Sequence, residues 1–69
     1  MFDLNLAKQR AEDYLKEGDY FAGLASFLSD LNKIQGRDYS AVQSLAAMLM
    51  LGGFLNSTEE VRKFVQGTN

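Results

Sequence analysis

Glycine divides this chain into four. Gly18, Gly36, the Gly52–Gly53 pair and Gly67 each follow a stretch whose apolar residues recur at helical spacing. A glycine in the left-handed conformation closes a helix without the steric cost that a side chain brings there. The chain has no proline, so the strongest helix breaker is missing. No segment alternates apolar and polar residues over the length of a strand. The expected fold is all-α. It is a compact bundle of four short helices over about 3–17, 19–35, 39–52 and 57–66, in a single small domain covering 1–69. The first two helices should form an antiparallel hairpin.

Each segment carries its own instructions. Asp3 to Glu17 places Leu4, Ala7, Ala11, Tyr14 and Leu15 on one stripe, with Phe2 and Leu6 off it. Lys8–Glu12 and Glu12–Lys16 have the i,i+4 spacing of ion pairs on a helix surface. In the second segment Asp19 stands where it can cap the helix. Leu24, Phe27, Leu28, Leu31 and Ile34 continue an apolar stripe begun by Tyr20 and Phe21, while Ser26, Ser29, Asp30 and Lys33 take the opposite side.

In the third segment Ser40 and Gln43 have the spacing of a capping box. Val42, Leu45, Ala46 and Leu49 form its main stripe, beside Ala41 and Met48. Met48 is expected to fill gaps in the core. The polar back formed by Ser40, Gln43 and Ser44 gives way to Ala47, Met50 and Leu51. A helix that becomes apolar all round is usually buried all round. The fourth segment opens with a second capping box, Ser57 with Glu60. It offers only Val61, Phe64 and Val65 as cover. Folding back across the glycine pair, it should shelter Met50, Leu51 and Phe54, with a surplus of apolar surface left at that end.

Composition removes several function classes. A chain of 69 residues buries only about 60% of its unfolded surface, so its core is small. There is no Cys and no His, hence no disulfide and no thiolate or imidazole ligand for a metal. A nucleophilic serine would lack its ordinary base. Glu12, Asp13, Glu17 and Asp19 cluster at one helix end as solvated charge, without the spacing of a calcium loop. Gly52–Gly53 lacks the lysine and strand of a phosphate loop. The expectation is no enzyme: no catalytic residue, no metal site, no cofactor and no small-molecule substrate.

The net charge of −2 is too small to attract nucleic acid in bulk or to mimic it. MFDLNLAKQR carries an acid at position 3 and lacks the apolar core of a secretory signal, so a cytoplasmic location is expected. The apolar run Leu45–Leu55 would rise only ~16 Å as a helix, about half of a hydrocarbon layer. It reads as core, with no membrane partner.

Two stretches resemble known motifs. In AEDYLKEGDYFAGLASFLSDL, Tyr14, Gly18, Asp19, Tyr20, Leu24, Phe27 and Leu31 are spaced as in a tetratricopeptide-type helical hairpin. Gly23 stands where that family usually has Ala, Asp30 replaces another small residue, and no second copy follows. The resemblance implies two antiparallel helices packed around small residues and aromatics; a repeat scaffold needs about three such units. GGFLNSTEEVRKFV resembles the second half of a helix-turn-helix. Its helix, however, leads with Glu59 and Glu60, where base and phosphate contacts need donors or positive charge.

The function these features favour is binding another protein, or a second copy, through an apolar face of the third and fourth helices. Tyr39, Met50, Leu51, Phe54 and Phe64 are the candidate contact residues. A regulator, inhibitor or assembly factor, acting as a dimer, would suit that make-up; small proteins of this kind are common among phage and other mobile-element genes. The alternative is a small helix-turn-helix-like accessory that binds DNA as a dimer.

Overall fold

Short polar caps set where the helices begin. In a computed structural model describing residues 2–69, the chain forms α1 (Leu4–Lys16), α2 (Tyr20–Leu31), α3 (Ser40–Leu51) and α4 (Thr58–Gly67). Asp3 Oδ1 accepts the Leu6 N–H at 3.0 Å, and Asp19 Oδ1 accepts the Ala22 N–H at 3.0 Å. Ser57 Oγ accepts the Glu60 N–H at 3.2 Å, while Glu60 Oε1 reaches back to the Asn56 N–H at 3.3 Å. The bonds to Leu6, Ala22 and Glu60 each satisfy an N–H that the first helical turn leaves without a partner, and the Glu60 bond to Asn56 fixes the residue just before the cap.

Two helix ends close alike. Gly18 and Gly53 have φ near +80°, at 80° and 79°. After α1 the Gly18 N–H bonds Leu15 O and the Asp19 N–H bonds Tyr14 O; after α3 the Gly53 N–H bonds Met50 O and the Phe54 N–H bonds Leu49 O. This paired pattern is a Schellman closure, which needs a left-handed residue. Gly36, also at positive φ, turns the α2–α3 connection, and Gly67 ends α4 from within the helix. α2 stops at Leu31, earlier than its apolar pattern implied.

The core lies between α1, α2 and α4. Ala7 and Ala11 of α1 are fully buried and let α2 approach closely. At Gly23 the approach is so tight that a Cβ would stand 2.9 Å from Leu15 Cδ2 and 3.2 Å from the Ala11 carbonyl. Leu24, Phe27 and Leu31 fill the seam from α2, and Val61 and Val65 close it from α4. Side chains of this size each contribute about 1.5–3 kcal/mol when fully buried. The resulting body measures 31 × 24 × 16 Å. Among the described residues no helix is long and apolar enough to cross a membrane.

Polar contacts pin the bundle at defined points. Arg62 Nε and Nη2 donate to the two oxygens of Glu12 at 3.0 and 2.9 Å, a bidentate clasp between α4 and α1. Lys8 Nζ donates to Gln66 O at 3.2 Å, at the carbonyl end of α4. The in-helix pairs expected of Lys8, Glu12 and Lys16 give way to these cross-helix contacts, of which the Glu12–Arg62 clasp is part-buried and the Lys8 bond exposed. Asp30 is a second correction. It lies buried at the α1–α2 seam instead of facing water, with Lys33 Nζ 3.4 Å from Oδ1 and Arg10 Nε 3.1 Å from Oδ2. The Arg10 contact is out of line for a hydrogen bond, so Oδ2 has charge opposite it but no donor aimed at it.

Candidate functional site

α3 is held by few points. Ala46 is its one buried residue, with Val42 and Leu49 half-buried beside it. Tyr39 before the helix and Leu55 after it are buried and act as anchors. Gln43 Nε2 donates to Leu28 O at 3.2 Å and to Asn32 Oδ1 at 2.8 Å, tying the helix to the end of α2. That contact draws Gln43 away from the expected capping box. The helix start is held instead by Asp38 Oδ1, which accepts the Ser40 N–H at 2.9 Å. Hydrogen bonding from Ser40 keeps the Asp38 carboxyl below its ordinary value.

The rest of α3 faces outward, against the expectation of burial on every side. Leu51 is 89% exposed, Met48 69%, Phe54 60%, Leu45 49% and Met50 39%. The reason is geometric. α4 docks on α1 and α2 through Val61, Val65 and the Glu12–Arg62 clasp, and so does not cross over the end of α3. The expected shelter of Met50, Leu51 and Phe54 by the fourth segment is therefore absent, and Met48 is a surface residue, not a gap filler.

These side chains form a band. At 3.6 residues per turn, Leu45, Met48 and Leu51 succeed one another along one flank of α3, with Ala41 a turn before them. Phe54 extends the band. Its ring folds onto Gly52, where a Cβ would stand 2.9 Å from Phe54 Cε2. Met50 projects from the other flank. Between α3 and α4 lies a shallow groove of about 340 Å³, lined by Val42, Leu45, Lys63, Phe64 and Thr68 among others. Leu45 belongs to both groove and band. No charged residue occurs between Asp38 and Glu59, so the whole band is free of charge.

The candidate contact residues thus separate. Leu51 and Phe54 share the exposed band, Met50 is part-exposed on the opposite flank, and Phe64 is half-buried in the groove wall. Tyr39 lies in the core beneath Arg37, whose guanidinium carbon is 5.3 Å from the ring centroid. Leu45 and Met48 were assigned to the core by their helical spacing. Their place in the band depends on where α4 docks, which spacing does not encode.

The basic residues of α4 are engaged. Arg62 is clasped by Glu12, which raises the arginine's proton affinity and holds the Glu12 carboxyl below its ordinary value. Lys63 Nζ lies 3.7 Å from Glu59 Oε1. No protein-family model matches the chain, and neither does a curated protein or a solved structure.

Proposed function

We propose that this chain is a small non-catalytic helical protein that binds another protein, or a second copy of itself, through the apolar band of α3 and the turn after it. It would act sterically, as a regulator, inhibitor or assembly factor, by covering a partner's surface or bridging two chains. The observation that carries this reading is the contiguous exposure of Leu45, Met48, Leu51 and Phe54, whereas Leu6 and Tyr14 of α1 and Phe21 of α2, which are also exposed, belong to helices that bury most of their apolar stripe. A contiguous apolar patch of this kind lies toward the upper end of what a monomer exposes, where such patches are often functional. The adaptable thioether of Met48 suits such a surface. The DNA-binding alternative depends on Arg62 and Lys63; Arg62 is clasped by Glu12, and the exposed Lys63 has the acid Glu59 3.7 Å away on the same helix.

A photo-crosslinking residue placed at Leu51 tests the reading, with the same residue at the exposed Phe21 as control. Illumination in the expressing cell is expected to give discrete adducts from position 51 and only background from position 21. Equal background at both positions would remove the contact-face reading.

A further inference from the structure

We infer that the occupant of the α3 band is a second copy of this chain, docked about a two-fold axis with the two α3 helices antiparallel. This rests on the contact-face reading above and adds the partner and its orientation. Three observations support it.

The first is area. With about 200 Å² for a fully exposed large apolar side chain, Leu45, Met48, Leu51 and Phe54 leave roughly 500 Å² uncovered on each copy. Two copies face to face remove at most roughly 1,000 Å² through these four residues, the lower bound of a specific interface. Ala41 and Ser44 add to that.

The second is charge. A two-fold contact sets each patch against itself, so any charge within it meets its own like. The interval from Asp38 to Glu59 contains none; the charge at the band's margin is Lys63, beside Leu45 in the groove wall, with Glu59 3.7 Å from it. A partner of complementary charge would find nothing on this face to read.

The third is shape. The band is small at its first end, with Ala41 and Ser44, and bulky at its last, with Leu51 and the Phe54 ring over Gly52. Ala41, Leu45, Met48 and Gly52 follow the 4-3-4 spacing of a coiled-coil seam. Antiparallel pairing lays the bulky end of one copy on the small end of the other, with Leu45 against Met48 at the centre. Parallel pairing would crowd bulk against bulk and leave a void at the other end.

The test combines mass with orientation. Sedimentation equilibrium at micromolar to submillimolar concentration is expected to give twice the 7.7 kDa chain mass. Met48→Asp and Leu51→Asp are expected to shift the protein to monomer, with the helical signal and melting cooperativity retained. The chain has no cysteine, so Ala41→Cys and Leu51→Cys can be introduced singly. Oxidation of the two variants mixed should give the 41–51 cross-link, and neither variant alone should cross-link efficiently. A monomer at all concentrations overturns the inference, and if position 51 still forms adducts with another protein the contact-face reading stands. A dimer untouched by Met48→Asp and Leu51→Asp overturns the inference, and the contact-face reading falls with it if position 51 forms no adducts. Cross-linking of position 41 to itself overturns the antiparallel arrangement.

Discussion

α2 and α3 have the same length and the same average hydropathy, yet one is buried and the other is not. α2 buries Gly23, Leu24, Phe27, Asp30 and Leu31, whereas α3 buries Ala46 alone. The amount of apolar side chain does not decide the difference. α2 gathers its large residues on the side that α1 and α4 both reach. α3 spreads Leu45, Met48, Met50 and Leu51 around its axis, and with α4 docked on α1 and α2 all four stay exposed. A helix with a defined apolar side completes a fold; one with apolar residues on several sides leaves some of them available to something else.

The comparison breaks most visibly under truncation. Phe27→Ala removes a fully buried ring and is expected to cost about 3–5 kcal/mol, most of the stability of a domain this small. Leu51→Ala is expected to change the stability of the isolated fold by no more than about 0.5 kcal/mol. Urea unfolding of the two variants checks the contrast, and comparable losses would mean that α3 is covered after all.

Gly53→Ala sharpens the contrast at the joint between α3 and α4. With φ at +79°, a side chain there should cost about 1–2 kcal/mol and loosen the closure that seats the Phe54 ring. Hydrogen exchange is expected to quicken at the Phe54 amide, which bonds Leu49 O, while the Leu24 and Phe27 amides of α2 keep their protection.

The smallest effect concerns the clasp that draws α4 away from α3. The hydrogen bonds from Arg62, with its charge, hold Glu12 below its ordinary 4.5. Its folded-state proton affinity is thus lower than the unfolded one. The contribution is complete above the unfolded pKa and is lost as pH falls through the depressed folded value. Glu12→Gln is expected to melt slightly lower at neutral pH and to lose less on acidification below about pH 4.5. Melting curves at pH 7 and pH 3 compare the two proteins; parallel acid losses would show that the clasp is not linked to folding.

What the sequence revealed follows range of interaction. The caps at Asp19 and Ser57 and the closures at Gly18 and Gly53 are settled within five residues, so pattern and turn chemistry reach them; the cap at Asp3 is equally local and went unread. Asp30, Gln43 and Glu12 were misread because their partners Arg10, Leu28 O and Arg62 come from other elements. The exposed site is only half legible: the pattern names Leu51 and Phe54 as contact candidates while expecting the fourth segment to shelter them, and it assigns Leu45 and Met48 to the core. Helical spacing gives each residue's direction around its own axis. It does not give the direction from which neighbours arrive, and that decided which of these side chains stayed bare.

The absence of charge between Asp38 and Glu59 has a thermal consequence. A contact made on that surface draws almost nothing from Coulomb attraction, so changing ionic strength over the physiological range leaves it nearly untouched. It depends on the release of water from apolar groups, a driving force that fades in the cold. Chilling, not desalting, is the condition that pulls such a contact apart.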